Sequence, residues 1–109
     1  MAFDPDLADQ MRADLGLRDG LSERRMFGGL CFLLYGNMVC GIHPGGAMYR
    51  VGKGAEAEAL SLPSVQPLSF TGRRMGGMVE VEGDAMEEDG IRASLITMSL
   101  AHAASLPPK

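Results

Sequence analysis

The sequence has little of what marks a membrane-spanning, secreted or metal-binding chain. No stretch reaches the roughly eighteen consecutive apolar residues that cross a bilayer, and the acidic start, 1–6, lacks the charged-then-apolar pattern of a signal peptide. The two cysteines, Cys31 and Cys40, form neither a C-x-x-C pair nor a metal-spaced cluster. We therefore expect a cytoplasmic protein without a membrane segment, in which both cysteines are buried free thiols.

Basic charge and catalytic groups are also scarce. Ten lysines and arginines stand against fourteen acidic residues, so the net charge of −4 offers no overall positive field to a nucleic-acid backbone. The histidines, His43 and His102, have no Cys, Asp or Glu at ligand spacing. No serine lies in a nucleophile-elbow sequence. We expect no catalytic residue, no enzymatic activity, no metal or other cofactor, and no direct binding of nucleic acid.

The patterning that is present predicts one small domain of mixed structure. A chain of 109 residues is too short for two cores. Asp4 and Pro5 predict the start of a helix that ends at Gly16. Two apolar runs, 30–35 and 38–43, flank Gly36-Asn37 and predict a hairpin with a two-residue turn.

The rest of the chain completes an α+β pattern. We predict a third strand over 47–51, a short helix over 53–60, strands over 67–71 and 78–82, and a last helix over 89–104. The order is helix, three strands, helix, two strands, helix. Helices on one face of a five-stranded antiparallel sheet, forming a two-layer sandwich, are the simplest assembly.

Both faces of the predicted hairpin are apolar, although a two-layer fold covers only one of them. With Gly36-Asn37 as the turn, Cys31 and Cys40 share one face on a diagonal too long for a disulfide. An open apolar face usually marks an interface. We predict a homodimer that pairs sheet faces or edge strands. A covering segment of the same chain and a different partner protein are the alternatives.

Paired arginines beside glycines are the most conspicuous local motif. The first copy consists of Arg24, Arg25, Met26, Phe27, Gly28 and Gly29, and the second begins with Arg73 and Arg74. Guanidinium groups and exposed amides of this kind can hold a phosphate or carboxylate. Alternatively, the arginines are solvated at strand entrances and the glycines permit close backbone approach. The repetition suggests that the two corners lie close together as one basic spot.

These residues, with the following hairpin, the strand at Tyr49, Phe70-x-Gly72-Arg73 and the end at 106–109, resemble the TfoX/Sxy N-terminal domain family. The resemblance covers 1–109 as a single domain. It implies an α+β fold related to type III secretion chaperones, and a place in bacterial regulation of competence alongside a cyclic-AMP receptor protein. It supplies no catalytic residues.

Two functional hypotheses follow. The first is a non-enzymatic regulatory module, linked to transcriptional or competence regulation, that binds a protein partner through the Arg-Gly-Gly corner. The alternative is a domain that senses a small anion or nucleotide with Arg24, Arg25, Arg73 and Arg74.

Overall fold

The computed structural model describes residues 4–26, 28–70 and 73–109, and for residues 69–70 and 73–75 it describes the backbone alone. The helices are α1 (Pro5–Leu15), α2 (Glu56–Leu60) and α3 (Asp89–Ala104). The strands are β1 (Leu21–Met26), β2 (Gly29–Leu34), β3 (Asn37–His43), β4 (Gly46–Arg50), β5 (Val65–Phe70) and β6 (Arg73–Glu82). Short 3₁₀ turns, Lys53–Ala55 and Gly83–Glu87, precede α2 and α3.

Six antiparallel strands form one sheet in the order β1-β2-β3-β4-β6-β5, with the helices packed on one face. The predicted two-layer α+β sandwich is confirmed. The strand count is corrected from five to six, because the segment expected to be a polar connector forms the edge strand β1. The predicted strand over 67–71 corresponds to β5, and Thr71 lies outside the described residues.

The first helix begins where the sequence predicts. The Asp4 carboxylate accepts a hydrogen bond of 2.9 Å from the Asp6 N–H, and Pro5 takes the first helical position. At the other end, the Gly16 N–H donates to the Arg12 carbonyl. The short helix and the long last helix also lie within their predicted ranges.

The β2–β3 turn is displaced by one residue from its predicted position. Tyr35 and Gly36, with φ of 50° and 85°, occupy the turn, and Leu34 pairs with Asn37. Two successive positive φ values are typical of a type I′ hairpin turn. Asn37 belongs to β3 instead, and its buried side chain donates to the Pro107 carbonyl at 2.9 Å. The Lys109 N–H donates to the Tyr35 carbonyl, so the C-terminal segment is tied to this turn.

A register shift between Phe32 and Leu33 separates the two cysteines onto opposite faces of the sheet. Phe32 pairs with Cys40 on the helix side, whereas Cys31 belongs to the apolar cluster on the other side. The prediction that they share a face is therefore wrong, since a one-residue shift moves a side chain to the other face. The prediction of free, buried thiols is confirmed.

Two separate apolar clusters lie on the two faces of the sheet. The helix-side core contains the largest buried side chains, among them Tyr49, Phe32, Met11, Leu95 and Met86. Within it the Tyr49 hydroxyl donates to the Met86 Sδ at 3.7 Å.

The second cluster, here called the Met-rich core, is made of Cys31, Met38, Met48, Leu68 and Met78, with Met26 partly buried against it. Each of the five buried members is at most 8% exposed. The expectation that this face lies open to water is therefore wrong, because its side chains are buried within a single chain. An exposed apolar face no longer supports the predicted homodimer, which stays a prediction.

Candidate functional site

The first arginine motif lies at the β1–β2 corner of the sheet. Arg24 and Arg25 are exposed near the end of β1, and Met26, which pairs with Gly29, packs against the Met-rich core. A Cβ atom on Gly29 would collide with the Ile42 carbonyl oxygen in β3. This glycine therefore permits the close approach of two strands, as the structural interpretation of the motif predicts. Phe27 lies outside the described residues.

The two arginines of β1 belong to opposite faces of the sheet. Arg24 pairs with Cys31, on the side of the Met-rich core, whereas Arg25 pairs with Leu30, on the helix side. Successive residues of a strand point to opposite faces. The guanidinium groups of Arg24 and Arg25 are thus separate charges along the edge strand and do not converge on one small anion.

The second arginine motif lies far from the first within the chain. Arg73 and Arg74 begin β6, and β2, β3 and β4 separate that strand from β1. Four strand spacings correspond to about 19 Å. Met26 also lies at the end of the sheet where β6 finishes, whereas Arg73 and Arg74 lie at the opposite end. The expectation that the corners form one basic spot is therefore wrong.

An ion-pair network that the sequence did not predict joins β1 to α1. The Arg12 guanidinium donates to both carboxylate oxygens of Glu23, at 2.7 and 2.8 Å, and also to Asp9 at 2.7 Å. It lies over the Phe32 ring at 5.9 Å from the centroid. The hydrogen bonds from Arg12 lower the pKa of the Glu23 carboxyl group. Glu23 is therefore held ionised in the middle of the edge strand.

The remaining titratable groups are shifted mainly by burial. Burial raises the pKa of Cys31 to about 11 and raises that of Cys40 well above its ordinary value, so neither thiol is a reactive thiolate at neutral pH. Burial lowers the pKa of His43, against an opposing effect of Glu80, and lowers the pKa of His102. The His43 Nδ1 accepts from the Gly45 N–H at 3.0 Å.

A cavity of about 680 Å³ lies where β6 meets the start of α3. Its walls combine apolar groups such as Leu62 and Ile91 with the carboxylates of Glu82, Asp84 and Glu88. Across residues 4–26, 28–70 and 73–109, no three His, Cys, Asp or Glu side chains come close enough to hold a metal ion. Nor does any helix in these ranges have the length and apolarity to cross a bilayer.

Comparison with known families gives one match. The model of the TfoX N-terminal domain matches residues 13–103, which include every strand, the whole of α2, nearly all of α3 and only the C-terminal end of α1. The chain belongs to the TfoX N-terminal domain family. The match includes the β1–β2 corner with its arginine motif and the Met-rich core. No curated protein and no solved structure matched the chain.

Proposed function

We propose that this TfoX N-terminal domain is a non-enzymatic regulatory module that binds a partner protein through β1 and the adjoining corner. The observation that carries the proposal is the open edge of the sheet at β1, where Ser22, Glu23, Arg24 and Arg25 are all exposed. An edge strand presents unpaired backbone groups to which an extended segment of another protein can add as a further strand.

Charge and rigidity at this edge favour a polar or acidic partner segment. The Arg12–Glu23 pair fixes β1 against α1, and Arg24 and Arg25 add positive charge on both faces. A rigid edge loses little conformational freedom when a partner strand pairs with it. The proposed regulatory role, in the control of transcription or competence in the bacterial cytoplasm, is inferred from the family.

The anion-sensing alternative has less support. It needs the four arginines to converge, but the two pairs lie on strands separated by three others, and Arg24 and Arg25 belong to opposite faces. A single site built from all four arginines of one chain is incompatible with this sheet order.

The proposal is tested by capture with matched variants. Immobilised wild-type protein, Arg24→Glu/Arg25→Glu and Arg73→Glu/Arg74→Glu are incubated with lysate of the host. Retained proteins are quantified by mass spectrometry, and the binding of the enriched protein is then measured in purified form. We expect a partner that binds the wild type and the Arg73/Arg74 variant but binds the Arg24/Arg25 variant at least about tenfold more weakly.

Two results would contradict the proposal. Equal binding to both double variants would place the contact away from β1. Failure to retain any protein, together with a higher melting temperature in the presence of one nucleotide or phosphate compound, would favour the sensing alternative. Circular dichroism and the melting temperature of each variant show whether it is folded.

A further inference from the structure

The two edges of the sheet differ in their protection against further strand pairing. At one edge, β5 carries Pro67 and a register shift between Pro67 and Ser69. Proline and bulges are devices that block edge pairing. At the other edge, β1 has no proline and pairs with β2 in continuous register from Leu21 to Met26. The β1 edge is therefore the one suited to receive another strand.

The hydrogen-bond phase identifies the β1 residues that face outward. The Tyr35 N–H donates to the Gly20 carbonyl at 2.8 Å, which makes 20 and 35 a hydrogen-bonded pair. Because such pairs alternate in an antiparallel ladder, 22, 24 and 26 bond to β2, whereas 21, 23 and 25 direct their N–H and C=O groups away from it. The Leu21 N–H already donates to the Arg18 carbonyl. Glu23 and Arg25 are left as the outward-facing residues.

We propose that two copies of this chain pair through β1, antiparallel and around a twofold axis at Arg24, so that Glu23 of each copy faces Arg25 of the other. The inference rests on the proposed function in taking β1 as the interaction surface. It adds that a second copy occupies this strand when the partner protein is absent. The two sheets then continue as one across the axis.

This register is selected by both the hydrogen bonds and the charges. It makes each Glu23–Arg25 pair a hydrogen-bonded pair, which exchanges two backbone bonds. Shifting the axis to Glu23 or to Arg25 would place like charges directly opposite each other, which is unfavourable. In the proposed register Arg24 of one copy lies opposite Arg24 of the other copy, on the face of the sheet away from Glu23 and Arg25. This like-charge pair weakens the dimer. We expect a concentration-dependent association rather than a permanent one.

The charges involved already interact within each chain, and the pairing adds to those interactions. Glu23 binds Arg12, and Arg25 also has an interaction in its own chain. A carboxylate has about four acceptor sites and a guanidinium group five donors, so a further contact across the axis is available to both. The helix α1 packs on α3 and β3, and Ser22 to Arg25 stay exposed beside it.

The decisive experiment mixes two charge-reversed variants. The mass of the wild type is measured by sedimentation equilibrium up to about 1 mM at low salt, where we expect it to rise from 11.6 kDa towards twice that value. Arg25→Glu and Glu23→Arg each place like charges opposite one another, and each should remain at the monomer mass. An equimolar mixture restores both opposite-charge pairs, and its mass should rise again.

Proline variants separate backbone pairing from charge. Arg25→Pro removes an outward N–H that β2 does not use, so the variant should remain folded and be monomeric. Arg25→Ala keeps that N–H and should retain a weaker dimer. A mixture of the reversed variants that stays monomeric while the wild type dimerises would overturn the register. A wild type that is monomeric at 1 mM would overturn the dimer, whereas the lysate capture tests the partner protein independently.

Discussion

The two faces of the sheet are both buried but are built from different side chains. The helix-side core contains Tyr49, Phe32 and other bulky groups enclosed by helices. The Met-rich core consists mainly of long, unbranched thioether side chains around Cys31. Methionine has several rotatable bonds and fills irregular space. The comparison shows that apolar residues on both faces of a strand can be buried within one chain, so this pattern does not by itself indicate an interface.

The largest expected difference comes from the same substitution on each face. Met86 and Met48 are both fully buried, Met86 in the helix-side core and Met48 in the Met-rich core. We expect Met86→Ala to lower the free energy of unfolding by about 4 kcal/mol, because it leaves a cavity and also leaves the Tyr49 hydroxyl without its sulfur acceptor. Met48→Ala should lower it by only about 2 kcal/mol, since flexible neighbours can fill part of the space.

Urea denaturation of the two variants and the wild type measures these values, and an unchanged m-value shows that both variants still unfold in one step. Leucine at each position serves as the control, because a volume-conserving change should cost less than about 1.5 kcal/mol. Equal losses on the two faces would show that the Met-rich core is as rigidly packed as the helix-side core.

A smaller loss of stability is expected from a substitution at Gly41, where the Met-rich core packs against the backbone. A Cβ atom on Gly41 would meet the Leu30 carbonyl oxygen at 2.8 Å, the Met48 Cε at 2.9 Å and the Cys31 Sγ at 3.1 Å. We expect Gly41→Ala to cost about 1–2 kcal/mol by overpacking. In the double variant with Met48→Ala, the total loss of stability should be less than the sum of the two single losses, because the Met48 side chain that crowds the new Cβ atom is no longer present. Strict additivity in urea denaturation would mean that the backbone contact alone sets the cost.

Much of the fold could be predicted from the sequence, because capping residues and apolar runs act locally. Asp4 and Pro5 start α1 as predicted, and α3 fills its predicted range. The predicted turn, Gly36-Asn37, lies one residue later than the observed turn, Tyr35-Gly36. The sequence does not separate the two because Gly36 can occupy either position of a two-residue turn. The register shift after Phe32 leaves no mark in the sequence, and it decides which face Cys31 and Cys40 occupy.

The candidate site was only partly predictable. The arginine motif is recognisable in the amino-acid sequence. The strand that each of its residues pairs with depends on the sheet order, which no local sequence pattern specifies. β1 was missed because an exposed edge strand has no apolar alternation. Gly20 and Gly28 on either side of it were the available signal. The Arg12–Glu23 pair joins residues from a helix and a strand, and sequence spacing does not reveal it.

The smallest expected effect is a loss of folding stability when the pH is lowered, to which His43 contributes. His43 ends β3; its Nε2 lies 3.7 Å from Glu80, and burial together with the Gly45 N–H bond to Nδ1 favours its neutral form. Because its pKa is lower in the folded state than in the unfolded one, its contribution to stability is complete above about pH 6.5 and decreases as the pH falls. Urea denaturation at pH 7.5 and 5.5 should show a loss smaller than the cost of Gly41→Ala. In His43→Asn that loss should shrink without vanishing, because His102 is shifted in the same direction. A loss of equal size in both proteins would assign the pH dependence to groups other than His43, namely His102 and, at the acidic end of the range, Glu23.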